Sequence, residues 1–193
     1  MAKDEVTRLR ALHVPAASGV VLEVGVGSGL NLPQYTKAVS RFYGVDSSAE
    51  LLAMARGNAE AAAFPAELLV LDAAQLPFAD GYVDTVVVTW SLCSIANTAG
   101  ALSEMHRVLK PGGALIFVEH GLSPDAGVRK WQNRLTPAWR RFAGGCHLNR
   151  KPDDLLRAAG FTIETLRTEY LPGPRALTFM YEGIGRKACR DNE

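Results

Sequence analysis

The sequence predicts an α/β domain on a largely parallel sheet with helices on both faces, and three observations carry that prediction. Five short runs, at 20–24, 41–45, 67–71, 84–89 and 114–118, are nearly continuous in apolar and β-branched residues. Strands that read this way are buried on both faces, as in parallel sheets. The runs alternate with segments of helical period, the order that crossover helices impose. Polar groups cluster where the runs stop: Glu23 with three glycines, Asp46, Asp72, and the segment Trp90-Ser-Leu-Cys-Ser94. Ligands in open α/β sheets bind beyond the carboxyl ends of the strands, so this coincidence is also the strongest functional signal in the chain.

In chain order, 5–12 reads as a short helix, and 20–24 is strand one. A short helix is expected from about 30 to 38. Strand two, 41–45, ends at Asp46, and Ser47 and Ser48 offer N-caps for a helix through Leu51, Leu52, Met54 and Ala55. Strand three, 67–71, ends at Asp72; Pro77, Asp80 and Gly81 mark a loop before strand four at 84–89. Leu102, Met105 and Leu109 recur at helical spacing, with Lys110 near the helix end and Pro111-Gly112-Gly113 as its stop. Strand five, 114–118, closes on Glu119-His120-Gly121. Pro152-Asp153-Asp154 opens a helix that ends at Gly160, and 161–166 and 177–181 are strands six and seven. The tail from Lys187, with Cys189, is expected to be exposed and loosely held.

The 193 residues suit one domain, with 20–120 as a cofactor-binding half and 121–193 as an acceptor side. A net charge of +1 argues against nucleic-acid binding by the chain as a whole. No apolar run approaches the length of a membrane span, and the first residues lack a signal-peptide core. Cys93, Cys146 and Cys189 are widely spaced without a Cys-x-x-Cys pair, so the expectation is reduced thiols in a cytoplasm and no metal.

The turn after strand one discriminates between ligands. A dinucleotide fingerprint is Gly-x-Gly-x-x-Gly facing a pyrophosphate. Here Gly25, Gly27 and Gly29 are spaced Gly-x-Gly-x-Gly behind Glu23, and a carboxylate repels pyrophosphate but suits a ligand with an ammonium group. Asp46 lies 21 positions after Gly25, the spacing at which an acid ending strand two meets ribose hydroxyls.

These residues, with Asp72 before Gln75-Leu76-Pro77-Phe78 and with Leu109-Lys-Pro-Gly-Gly113 before a strand, resemble class I S-adenosylmethionine-dependent methyltransferases of the type 11 group. The resemblance implies a Rossmann-like sheet of seven strands, mostly parallel with the last antiparallel, and S-adenosyl-L-methionine as cofactor. It implies that Glu23 and the backbone of Gly25, Gly27 and Gly29 hold the methionine moiety, with Asp46 at the ribose and Asp72 with Ala73 at the adenine edge. Asn31, Ser47 and Trp90 join that cofactor set. Within the family, Trp90-Ser-Leu-Cys-Ser94, Phe117-Val-Glu-His120, Trp131 with Pro137-Ala-Trp139, and Gly145-Cys-His-Leu-Asn149 are similar to thiol S-methyltransferases. Related bacterial chains are labelled phospholipid or quinone methyltransferases. The acceptor implied is therefore a small molecule, with an alkyl thiol first and a phospholipid or quinone as the alternative.

His120, just beyond strand five, is the best-placed base for a thiol acceptor; the competing reading is a hydrogen-bonded loop histidine. Trp90 is placed to wall the methyl group or the substrate. Cys93 reads as a packed small hydrophobe more than as a reactive group. Cys93, Trp131, Cys146, His147 and Asn149 form the candidate substrate set. Cys146 and His147, being adjacent, point apart in an extended segment and make a poor dyad. Segment 121–151 carries seven basic side chains against Asp125, and Trp131, Leu135, Trp139 and Phe142 fall on one helical stripe interrupted at Pro137. Either the stripe packs on the sheet and leaves a solvated basic face, or the helix is a lid or a surface for anionic lipid or an acidic substrate. From other functional classes, a nicotinamide-dependent oxidoreductase and a non-catalytic cofactor-binding protein remain as alternatives.

Overall fold

The computed structural model describes residues 3–189. Helix α1 (Lys3–His13) leads to β1 (Gly19–Val24) and β2 (Val39–Asp46), then α2 (Ala49–Glu60), β3 (Ala66–Val70) and β4 (Val83–Thr89). Next come α3 (Thr98–Val108), β5 (Leu109–His120), α4 (Ala126–Phe142), α5 (Pro152–Ala158), β6 (Phe161–Tyr170), α6 (Arg175–Thr178) and β7 (Phe179–Lys187). The seven strands form one sheet in the order β3-β2-β1-β4-β5-β7-β6. Only β7 runs against its neighbours, pairing antiparallel with β5 and β6. Strand order reverses between β1 and β4, which pair in parallel from Val21↔Thr85 to Val24↔Val88. That switch point opens a crevice at the carboxyl ends of the two strands.

Apolar side chains of β1, β2, β4 and β5 fill both faces of the sheet. Leu22, Val86, Val88, Leu115 and Phe117 pack under α3 with Leu102 and Met105, while Val21, Phe42, Val87 and Ile116 pack on the other side with Leu52 of α2.

Several elements depart from the sequence expectation. The helix expected at 30–38 is one 3-10 turn, Leu32–Gln34. Asn31 and Tyr35 are both drawn inward onto Glu23, and Pro33 removes a donor, so no longer helix propagates. Helix α3 stops at Val108, not near Lys110: Leu109 is fully buried and already pairs with Val83 as the first residue of β5. Lys110 therefore lies in the strand, 2.6 Å from Asp84. Strands six and seven both run longer than expected.

Helix α4 is not interrupted at Pro137 but continues to Phe142, and Thr136 Oγ1 donates to the Gln132 carbonyl in that turn (2.7 Å). Its buried residues are Gln132 and Thr136. Most of the Trp131, Leu135, Trp139, Phe142 stripe faces outward, with Trp131 59% and Phe142 88% exposed, while Trp139 reaches back to Cys146. The reading in which that stripe packs on the sheet is overturned. The reason lies in Gln132, which is pulled in by specific bonds: it accepts from Ser123 N and donates to the carbonyls of Gly121 and Ala176. Cys189 is exposed, and the tail beyond it lies outside the described residues.

Candidate functional site

The chain leaves β1 through three glycines with left-handed backbone, Gly25 (φ 76°), Gly27 (φ 55°) and Gly29 (φ 76°). A Cβ on Gly25 would sit 2.3 Å from Ser91 Cβ, and one on Gly29 would sit 2.9 Å from Ala55 Cβ. A Cβ on Gly27 meets nothing within 4 Å. The outer glycines thus let the β4 loop and α2 close on the turn, while the middle one leaves open space against bare backbone. Asp46 fastens the arrangement: its carboxylate accepts from Gly27 N and from Ser48 N, both at 2.9 Å. Asp46 stays half-buried with lone pairs to spare for a diol, and Ser47 is exposed beside it. Ser48 caps α2 by accepting from Leu51 N (3.2 Å).

Glu23 is only 1% exposed, and its oxygens accept from Asn31 Nδ2 (2.8 Å) and Tyr35 OH (2.7 Å). The carboxylate expected to meet an ammonium thus faces its own loop and braces it. Asn31, itself buried, also donates to Thr89 Oγ1 (3.0 Å) and accepts from Arg10 of α1. The Arg10 guanidinium lies 4.7 Å from the centre of the Trp90 ring. Its Nε is buried without a hydrogen-bond partner among the described residues, as is the Trp90 indole nitrogen.

Burial pushes the Glu23 carboxyl up from 4.5 to about 7, against the bonds from Tyr35 and Asn31 and the charge of Arg10, and with Asp46 adding to the rise. The folded protein therefore keeps a proton that the unfolded chain releases near 4.5, so this group makes stability fall as pH rises from about 4.5 to about 7. Glu23→Gln is expected to melt with the parent at pH ~5 and above it at pH ~8, by roughly 3 kcal/mol at most. Parallel pH slopes in thermal melts of parent and variant would remove Glu23 as the cause.

Farther along the strand ends, Asp72 is exposed and accepts from Ala74 N (2.9 Å), while Ala73 is buried. The loop after β4 begins with Trp90 at φ 50°, a left-handed conformation that a bulky residue holds only when its surroundings impose it. Trp90 N donates to Val118 O (2.9 Å), and Ser91 Oγ donates to Val24 O (2.9 Å). Glu119, fully buried at the end of β5, accepts from Ser91 N (2.8 Å) and Leu92 N (3.1 Å). Burial pushes Glu119 up to about 7, and its second oxygen has no partner among the described residues. Arg150 donates to the carbonyls of Leu92 and Ile95, and His147 N donates to Cys93 O (2.8 Å).

These bonds gather Cys93, His120 and Cys146 from three separate elements. His120 Nε2 lies 3.0 Å from Cys146 Sγ. The Cys93 thiol hydrogen-bonded to Cys146 holds the latter down at about 4, with His120 adding to the effect against burial; Cys93 is correspondingly held well above its ordinary range by Cys146 and by burial. Within the pair Cys146 is the thiol pushed toward ionisation, and its imidazole neighbour is His120 rather than adjacent His147. Cys93 also packs with Cys146 and Leu148 as a small apolar cluster.

Two candidate substrate residues are not brought to this cluster. Trp131 lies on the outer face of α4 with Arg134 at 6.0 Å, and Asn149 donates to Asn133 Oδ1 (3.0 Å). The side chain of His147 is half-buried, with its imidazole held below the ordinary range by burial and by Arg150. Arg10, Tyr35, Glu119 and Arg150 were not among the expected site residues. Glu119 had one signal, an acid ending strand five, parallel to Glu23 and Asp46. Arg10, Tyr35 and Arg150 had none, because their partners lie far away in sequence or in the following loop.

The methyltransferase domain family matches residues 22–117. Thiol S-methyltransferase TMT1A of Homo sapiens is 34% identical over 172 residues, covering 87% of this chain and 69% of that protein. The chain belongs to the class I S-adenosylmethionine-dependent methyltransferases. Phosphatidylethanolamine N-methyltransferase of Cereibacter sphaeroides is 42% identical over 128 residues, which span 64% of this chain and 63% of that enzyme. A methyltransferase structure from Bacillus halodurans superposes with a TM-score of 0.74 over 96% of this chain and 99% of its own, at 19% identity, a likeness of fold. The methyltransferase membership and the Gly-x-Gly-x-Gly turn replace the nicotinamide reading.

Proposed function

We propose that this methyltransferase binds S-adenosylmethionine across the carboxyl ends of β1, β2 and β4 and methylates the sulfur of a small thiol. The observation that carries the reading is the His120 imidazole 3.0 Å from Cys146 Sγ at the end of β5, a setting that favours a sulfur anion. The similarity to the human thiol methyltransferase supports it, because an alignment of 172 residues cannot be confined to the cofactor half.

The site fits the cofactor on its own terms. Open space at Gly27 admits a ligand against the backbone, Asp46 offers acceptors for a ribose diol, and the orphaned Arg10 Nε suits a carboxylate. Asp72 and Ala73 stand at the adenine edge, and Asn31 is held in place by Glu23. When bound, S-adenosylmethionine supplies an electrophilic methyl on a sulfonium leaving group. The protein's part is to orient the acceptor, exclude water and take one proton. His120 accepts the thiol proton, Trp90 walls the methyl-transfer space with a ring fixed by Arg10, and the methyl group passes to sulfur. Thioether, S-adenosylhomocysteine and a proton are the products.

His120→Ala is expected to lower kcat by about a hundredfold while S-adenosylhomocysteine affinity stays within about twofold. The assay is methylated product from a thiol panel with labelled cofactor. Silence across the thiols, with methylation of a phospholipid or quinol, would overturn the acceptor. That second reading has its own observation: α4 exposes Trp131, Leu135, Trp139 and Phe142, flanked by Arg129, Lys130, Arg134, Arg140 and Arg141. An apolar face bordered by cations suits an anionic membrane surface, where a lipid acceptor resides. Co-sedimentation with phosphatidylglycerol vesicles that Phe142→Ser with Trp131→Ser abolishes, coupled to lipid methylation, would favour it.

A further inference from the structure

We propose that Cys93, His120 and Cys146 form a binding site for a zinc-class divalent cation, with its fourth position open to the acceptor sulfur. The Cys93 and Cys146 Sγ atoms and a ring nitrogen of His120 all lie within 4.8 Å of one another, and all three residues are buried. Zinc bonded at ~2.3 Å to sulfur and ~2.0 Å to nitrogen holds such atoms about 3.5 Å apart in a tetrahedron, so a shift of about an ångström closes the cage. Two thiolates and an imidazole are the donor set that zinc prefers, and three protein ligands with one open position is the pattern of catalytic rather than structural sites.

A second observation points to a cation at this place. Glu119, fully buried, turns one oxygen to the backbone of the 90–94 loop and leaves the other without a partner among the described residues. A carboxylate and two sulfurs thus share this place with the charge of Arg150, which acts on all three. The ligand loops are also tied together before any metal arrives. His147 N bonds Cys93 O, and Arg150 clamps Leu92 and Ile95. Gly144 and Gly145, at φ 55° and 81°, turn the chain from the end of α4 into the site. Such outer bonds orient ligands and raise metal affinity. The widely spaced cysteines hide the site from a reading of the sequence, since each ligand comes from a different element.

The role of the cation rests on the thiol reading of the acceptor. A thiol that enters the fourth position would lose its proton to solvent on coordination; its sulfur would bond the methyl carbon as the sulfonium–methyl bond breaks and S-adenosylhomocysteine leaves, and the neutral thioether would then leave the cation. In that arrangement the cation replaces His120 as the group that acidifies the thiol.

The test begins with the 193-residue chain, reduced, freed of metal by a chelator and titrated with cobalt(II) in the absence of air. One equivalent is expected to give the intense ligand-field bands of a tetrahedral site and a sulfur-to-cobalt charge-transfer band, both displaced by zinc. Cys93→Ser, His120→Ala and Cys146→Ser should each weaken binding more than about tenfold, and Cys189→Ser should leave it unchanged. S-adenosylhomocysteine binding and thermal melts verify that each variant is folded. The proposal is overturned if the reduced protein shows no tetrahedral spectrum, if folded Cys93→Ser and Cys146→Ser proteins keep it, or if Cys189→Ser loses it. A tetrahedral cobalt spectrum without thioether formation from any thiol retains the site and rejects the thiol reading. Undiminished thiol methylation by metal-free enzyme rejects the metal role and retains that reading.

Discussion

Gly25→Ala and Gly27→Ala are both expected to weaken S-adenosylhomocysteine binding by more than about a hundredfold, while separating sharply in stability. The Cβ of Gly25→Ala lies 2.3 Å from Ser91 Cβ, so the β4 loop must move away from β1. Left-handed strain of ~1–2 kcal/mol and overpacking of ~1–3 kcal/mol together lower stability by roughly 2–5 kcal/mol. Gly27→Ala meets no protein atom within 4 Å and incurs the strain alone, about 1–2 kcal/mol. Its effect on binding comes from filling space that a ligand occupies. Calorimetric titration with S-adenosylhomocysteine, alongside urea denaturation, separates the two. Normal binding by a folded Gly27→Ala protein would show that the open face of the turn is not the cofactor cradle.

Asp46→Ala is expected to have the next largest effect. The substitution leaves Gly27 N and Ser48 N without their acceptor, which costs about 1–2 kcal/mol of stability at a half-buried site. It also removes the acceptors for a ribose diol, worth roughly 1.5–3 kcal/mol per charge-assisted bond, so affinity should fall a hundredfold or more. Pairing the variant with a 2′-deoxy analogue of S-adenosylhomocysteine isolates the contact. If Asp46 meets that hydroxyl, the analogue binds parent and variant with a much smaller difference than the natural ligand does. An unchanged difference would assign Asp46 to loop support alone.

Much of the fold was legible because parallel strands and their caps leave local marks. The runs at 20–24, 41–45 and 84–89 are apolar on both faces, Ser48 caps α2, and Gly25 and Gly29 mark close approaches. The failures came where distant partners overrule local pattern. The 30–38 segment has a helical look, but Glu23 draws Asn31 and Tyr35 inward and only a 3-10 turn survives. Leu109 fits the apolar period of α3, but pairing with Val83 claims it for β5. On α4 the apolar period leaves open whether the stripe packs inward or faces out; the bonds of Gln132 to Gly121, Ser123 and Ala176 orient the helix, so Trp131 and Phe142 face out.

The site divides along the same line. Local order along the chain is enough for the glycine turn, the acids at the ends of β1, β2 and β3, and with them the methyltransferase family, because each rests on a strand meeting its own next turn. What those groups face depends on the packed fold. It turned Glu23 from an expected ligand contact into a brace for Asn31 and Tyr35, and set Arg10 against Trp90. It also brought Cys146 to His120 across 26 positions while leaving adjacent His147 outside the pair. Spacing along the chain specifies backbone geometry over a few residues; convergence of side chains from the loop after β4, from β5 and from the loop after α4 depends on sheet order and on buried hydrogen bonds.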